Sequence, residues 1–418
     1  MLVHWIWLAT RPDVNDRTKA ALLQHFQDPE TAFFADAGSY RLVEGITPEG
    51  IEALNDKNLC QAEEILGECD QKNLHILTYQ DASYPARLKN ITDPPLVFYY
   101  KGRLPDFDGT PLIGIVGTRK ATPYGMNVAK RMGYQIAKCG GIVVSGMAYG
   151  IDGMAMEGAL TAGMSAVGIL GCGADMVYPQ SNKALFEDME HYGCIMSEFP
   201  PGTPPYKWNF PKRNRIISGM SCGVLVVEAP AKSGALITAG LALDQGRDVF
   251  AVPGNIDMPT FEGSNRLIQE GAVLAGSGWE VMREYEAQFP DKVHNHMASS
   301  GKTICSEELK AAAQTEKTQP KVAQNPRILG KKQPPKQKID KKVIDKAEST
   351  LYSDFNDSAP ALTETEQKIA SALRGGERLV DDVIAETGLK SSVVLAELTF
   401  MELKGLVKRL PGKRVRLN

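Results

Sequence analysis

Between Pro111 and Gly278 short apolar runs recur: "LIGIVG", "GIVVSG", "SAVGILG", "CIMSEF", "CGVLVVEA" and "DVFAVPG". Each runs into a glycine or a loop, and helical stretches such as "GMNVAKRMGYQIAKCG" and "NKALFEDMEHYG" separate them. A strand that is apolar at every position, rather than at every second one, needs cover on both faces. Such strands alternating with amphipathic helices predict a doubly wound parallel sheet of the α/β class. Ligands of these sheets sit outside the carboxyl ends of the strands, so the loops after the apolar runs are where a site is expected.

The flanks differ in kind. The segments "TKAALLQHF" and "EGIEALNDKNLCQAEEIL" carry apolar residues at helical spacing around a break at "AGSYRLVEGITPEG", which predicts a small helical module over 1–75. It reads either as a packing module or as a helix-hairpin-helix that offers amides to phosphates. Residues 76–285 form the sheet domain. Over 286–360 periodicity is lost, and "QPKVAQNPRILGKKQPPKQKIDKKVIDK" predicts a flexible basic linker with little to bury. Residues 361–418 read as three helices and a hairpin, the pattern of a winged helix. Its expected third helix, Ser391 to Leu403, has no Lys or Arg and carries Glu397 and Glu402, which argues against insertion between phosphates. Lys408, Arg409, Lys413, Arg414 and Arg416 leave backbone contact through the wing open, and a regulatory or protein-binding role is preferred.

The chain of 418 residues is too long for one ordinary core, which agrees with several domains. Its net charge of −3 means that any nucleic-acid site is a local patch. The seven cysteines are scattered, with no C-x-x-C pair or metal-ligand spacing, as expected of free thiols in a reducing cytoplasm. The opening "MLVHWIWLAT" is too briefly apolar for a membrane span and lacks the basic leader of a signal peptide. A cytoplasmic protein without membrane contact is expected.

The loops themselves hold the candidate residues. After the first run, Gly117 and Thr118 permit a tight turn, Arg119 offers a fork to a phosphate, and Tyr124-Gly125 open a helix whose amides favour an anion. The glycine spacing is neither that of a dinucleotide fingerprint nor that of a Walker loop. Ser145 and Gly146 close the second run, and "GCGADMVYPQSNK" follows the third. After the fourth, "YKWNFPKRNR" interleaves Lys207, Lys212, Arg213 and Arg215 with Tyr206, Trp208 and Phe210. Cations that follow phosphates and rings that take bases are what a single-stranded nucleic acid needs, although Trp208 and Phe210 could equally anchor the loop to the core. Ser233, Gly234 and Thr238 begin a helix after the fifth run and can hold a further phosphate. Asp152, Glu198 and Glu228 have no nucleophile, metal-binding histidine or spaced second acid beside them, and are expected to orient arginines and loop amides.

Laid end to end, "GIVGTRKATPYG", "VVSGMAYGIDGMAMEGAL", "GCGADMVYPQSNKAL", "SEFPPGTPP", "FPKRNRIISGMS", "VVEAPAKSGALITAGLALDQGRDVFAVPG" and "GSNRLIQEGA" resemble the DNA processing protein A (DprA, also called Smf) family over about 170 residues. The resemblance implies an extended Rossmann-like domain that binds single-stranded DNA without cutting it, protects it, and helps load the RecA recombinase during natural transformation. It also implies a homodimer, a sterile-alpha-motif-like N-terminal module and, in some members, a C-terminal winged helix. In family terms Arg119, Lys183, Lys207, Phe210 and the arginines of Arg213-Asn214-Arg215 line the DNA pocket. No cofactor or metal is implied. One departure stands out: where the family carries a histidine after "GID", this chain has Met156, which cannot donate a hydrogen bond and is left a packing role. On this reading the cations of "PKRNR" face the DNA backbone, and "IISGM" is the first turn of a helix.

Two other classes compete. Nucleotide phosphoribohydrolases share the superfamily, but they place a general acid/base Glu after P-G-G-x-G-T, where this chain has "SGALITAGLA". A winged-helix transcription regulator with a ligand-sensing core is disfavoured by the acidic third helix.

Overall fold

The computed structural model describes residues 1–296 and, further on, 364–373, 376–389, 391, 394, 397–398, 401–402, 406–410 and 414–417. The chain divides into two compact units, Met1–Lys321 and Val322–Asn418.

The first unit is built on a nine-stranded sheet in the order β1-β2-β6-β5-β4-β3-β7-β8-β9. The strands are β1 (His75–Thr78), β2 (Val97–Gly102), β3 (Leu112–Val116), β4 (Ile142–Ser145), β5 (Ala166–Ile169), β6 (Cys194–Ser197), β7 (Gly223–Val226), β8 (Asp248–Ala251) and β9 (Val273–Leu274). From β3 to β9 all pairings are parallel, while β2 runs antiparallel to β6 and β1 antiparallel to β2. The six apolar runs are β3 to β8. They are continuous because the sheet is covered twice. Ile113 and Ile115 point into one core, with Met132 and Met156 of the helices Pro123–Lys138 and Ile151–Thr161. Leu112 and Val116 point into the other, with Ile216 and Ala239 of the helices Asn209–Met220 and Gly234–Asp244. The alternation is the two-residue period of a strand. From β3 the chain steps outward through β4, β5 and β6, then resumes at β7 on the other side of β3, so the switch point of the sheet lies between β3 and β7.

The N-terminal module is helical, and Leu2–Ala9 is one of its helices, with Trp5, Ile6, Trp7 and Leu8 buried. Its core runs on without a break into Val97 and Tyr99 of β2, so the boundary expected at residue 75 is not a gap in the packing. At the other end, residues past 286, where the linker is expected to start, still pack on the sheet. Phe289 and Val293 are buried in the sheet core, and His294 N donates to Cys139 O (3.2 Å). The basic run of the linker lies outside the described residues. Six cysteines among the described residues are free thiols, and no helix among them is long and apolar enough to cross a membrane.

The second unit contains helices Glu364–Ala372 and Val380–Thr387 and a three-stranded sheet in the order β10-β12-β11, formed by β10 (Arg378–Leu379), β11 (Val407–Leu410) and β12 (Arg414–Leu417). It is a winged helix; β10, which closes the sheet, is too short to read from sequence. Of the expected third helix, Val394, Leu398 and Met401 are described and join the core of this unit, and Glu402 is exposed. Lys408, Arg414 and Arg416 of the wing are exposed, and Lys413 lies outside the described residues.

Candidate nucleic-acid interface

At the switch point the turn after β3 is tied to the end of β7: Thr118 N donates to Glu228 O (2.8 Å). The Glu228 side chain is fully buried and its carboxylate accepts from Thr122 N (3.1 and 3.2 Å) and Thr122 Oγ1 (2.9 Å). Thr122 in turn caps the helix Pro123–Lys138 by accepting from Gly125 N (3.0 Å). A Cβ on Gly125 would overlap the carboxylate, so the glycine is the condition for this approach. An internal negative charge therefore occupies the helix N-terminus where a nucleotide-binding sheet holds its phosphate. The anion expected at Tyr124-Gly125 is Glu228 itself.

One step along the rim, Asp152 sits buried at the start of the helix Ile151–Thr161 and accepts from Gly146 N (3.1 Å). Burial raises its pKa, and Arg213 and Arg119 draw it back. Arg213 is 3% exposed; its guanidinium donates to Ile169 O at the end of β5 and packs on Gly146, where a Cβ would collide with it. Burial pushes its pKa down to about 10, against the attraction of Asp152, so it stays cationic at neutral pH. Arg119 is half-buried, with its guanidinium carbon 4.9 Å from the centroid of the Phe210 ring. Arg213 and Arg119 thus both act on the one buried carboxylate of Asp152.

Phe210 rests against Gly171, with its ring tilted 37° to Tyr178 at 5.6 Å. Lys207 is exposed, as is Lys183, 3.8 Å from Glu187 at the start of the helix Lys183–Tyr192. Tyr206 and Trp208 flank Lys207 and stack on each other, and Trp208 is 70% exposed, so it is not the core anchor that the sequence left open. The fold thus brings Arg119, after β3, against Phe210, after β6, while Lys207 stands three residues before that ring and Lys183 opens the helix Lys183–Tyr192. Gly117 belongs here as well, packed so closely on Ile151 that no side chain fits.

Among the other sequence-derived candidates, Ser145, Arg213, Arg215 and Thr238 are buried. The helix begins at Asn209 and not at Ile216, so "PKRNR" forms its first turns, and Pro211 is tolerated there because those amides have no intrahelical acceptor. Within that helix Arg213 and Arg215, on different faces, are both buried. Arg215 is 4% exposed and donates to Asp93 (2.9 Å), Asp16 (3.2 Å) and Glu198 (2.7 Å). Burial would lower its pKa, yet these carboxylates together raise it. Lys212 remains partly exposed, with Asp16 at 2.8 Å. Ser145 Oγ donates to Ile115 O (2.6 Å) and Thr238 Oγ1 to Gly234 O (3.4 Å), both buried, so neither hydroxyl reaches a ligand. Ser233 Oγ caps its own helix by accepting from Ala235 N (3.3 Å), Gly234 is exposed, and Asn214 Nδ2 donates to Gly234 O (3.5 Å). Met156 is fully buried among the residues of the sheet core.

Sequence reasoning passed over Tyr178; for Glu228 it expected the orienting of loop amides, as the Thr122 N–H bond shows, but not which loop. A tyrosine in "DMVYPQ" carries no local sign that it will meet Phe210, and the partner of Glu228 lies 106 residues away.

Residues 75–286 match the model of a family described as DNA recombination-mediator protein A, and residues 353–413 match the DprA winged helix domain. The chain is similar to Protein Smf of Synechocystis sp., 34% identical over 422 residues, covering 98% of this chain and 97% of the relative. It is also similar to DNA processing protein DprA of Bacillus subtilis, 41% identical over 220 residues, which cover 53% of this chain and 74% of the relative. Among solved structures, DNA processing protein A from Streptococcus pneumoniae matches with a TM-score of 0.61 and 30% identity, over 68% of this chain and 98% of that one.

Proposed function

The chain belongs to the DNA recombination-mediator protein A family, also called DprA or Smf, and from that DNA-processing role we propose that it binds single-stranded DNA along the rim formed by Arg119, Lys183, Lys207 and Phe210. The observation that carries this reading is the Arg119 guanidinium beside the Phe210 ring, with Lys207 exposed three residues before that ring. A single strand offers a phosphate and an unstacked base together, whereas a duplex hides the base face. Arg213 acts from beneath, as a buried cation that positions the Gly146 turn and adds to the field at the rim. In the cytoplasm the bound strand is protected and delivered to the RecA recombinase. The protein binds without cutting: Asp152, Glu198 and Glu228 are each already engaged by an amide, a hydroxyl or an arginine of the chain.

The working unit is a homodimer. Supporting this, the edge strand β9 leaves Val273 and Leu274 43% and 50% exposed, an apolar edge of the kind that pairs with a second copy.

The test is a salt series of fluorescence-anisotropy titrations with labelled oligo-dT and a matched duplex. The wild type is expected to prefer the single strand and to weaken steeply with salt. Arg119→Ala and Lys207→Ala are each expected to lose affinity and to flatten the salt slope by about one. Binding unaffected by either substitution would exclude this rim.

A further inference from the structure

The loop after β6 presents two rings that packing within the chain does not explain. Tyr206 and Trp208 are 45% and 70% exposed, and their rings lie 9° from parallel with centroids 4.8 Å apart. A folded chain normally buries rings of this size or gives them something to cover. The backbone beneath them is well held. Tyr206 N donates to Pro204 O (2.8 Å) and Asn209 N to Tyr206 O (3.0 Å), while the buried Asn209 side chain donates to Gly171 O (3.0 Å) just past the end of β5. Phe210 is placed differently, with Arg119 over its ring at 4.9 Å and Tyr178 tilted at 5.6 Å, so part of its surface is already covered by the protein.

We propose that Trp208, backed by Tyr206, is a second base-stacking platform, separate from Phe210, that takes an unpaired nucleobase of the strand held at the rim. The inference rests on the single-stranded DNA reading above. Tyr206 covers one face of the indole, and the high exposure of Trp208 leaves the other to solvent. A base laid there covers apolar surface without any need for hydrogen-bond readout, so the platform accepts every base. Because Tyr206 fixes the indole plane beforehand, little side-chain freedom is lost on binding. Lys207, between the two rings in sequence and exposed, supplies a cation for the neighbouring phosphate.

The chain carries its own reporter. Of its four tryptophans, Trp5 and Trp7 are buried and Trp279 is half-buried, which leaves Trp208 as the exposed one. The full-length protein is titrated with oligo-dT and with an abasic oligomer of equal phosphate number, following intrinsic fluorescence and the anisotropy of labelled DNA in parallel. Oligo-dT is expected to quench the wild type and the abasic oligomer is not. Trp208→Phe keeps a ring, and is expected to retain most of the affinity and lose the quench. Trp208→Ala is expected to bind oligo-dT roughly 5- to 150-fold more weakly, the range for one lost stack, with an unchanged salt slope because no phosphate contact is removed. Wild-type affinity in Trp208→Ala, with no quench in the wild type, overturns the platform and leaves the rim intact. Failure of the wild type to bind oligo-dT by anisotropy overturns the rim, and the platform with it.

Discussion

Arg213 and Arg215 lie two residues apart in one helix, yet their charges go to different partners in the interior. Arg213 shares Asp152 with Arg119 and serves the rim, whereas Arg215 is spent on Asp16, Asp93 and Glu198. Their residue type was read correctly as cationic, but exposure was not legible, because the acceptors of Arg215 stand as far as 122 and 199 residues away. Glu228 is the counterpart among the acids. Glu228→Gln leaves one amide group facing the Thr122 N–H, so a charge-assisted hydrogen bond is lost and a donor meets a donor. The variant is expected to be less stable by about 1.5 to 3 kcal/mol, the range for a hydrogen bond to a charged group, measured as a lower urea midpoint with unchanged slope. A wild-type midpoint would mean that the negative charge is not what holds the start of the helix Pro123–Lys138.

The helix Asn209–Met220 also fastens the N-terminal module to the sheet, through Lys212 and Arg215 on Asp16. Burial by itself would raise the pKa of Asp16, but Lys212, Lys19 and Arg215 outweigh it and hold the carboxyl below its ordinary value of 3.8. The folded state therefore favours the charged form. The stabilisation is fully present above the unfolded pKa and is lost as pH falls through the lower, folded one. The urea midpoint of the wild type is expected to fall below about pH 4, the ordinary range of an aspartate. Asp16→Asn should be less stable at pH 7 and should approach the wild type at the acid end. Parallel curves for the two proteins would remove Asp16 from the fastening. Element by element, β3 to β8 were legible because two-sided burial writes an unbroken apolar run. The antiparallel β1 and β2 and the two-residue β9 were not, since their existence depends on a partner edge more than on their own composition.

For the whole molecule, the exposed pair Val273 and Leu274 on β9 makes the oligomeric state the property to test. Leu274→Lys places a charge on the sheet edge, as monomeric proteins do to block pairing. Light scattering after gel filtration is expected to give a dimer for the wild type and a monomer for the variant. A dimer in both would move the interface away from this edge.

The amino-acid sequence by itself determined that a parallel sheet would form, where its carboxyl-end loops would fall, and that a winged helix would follow. Each of these depends on local periodicity, which a chain carries in its own order. Only the tertiary structure decided which charges of the rim meet solvent. A buried cation is tolerated only beside an acceptor that the fold delivers. Asp152, Glu198 and Asp16 hold Arg213 and Arg215 in the interior, while Arg119 is half-buried and Lys183 and Lys207 are exposed.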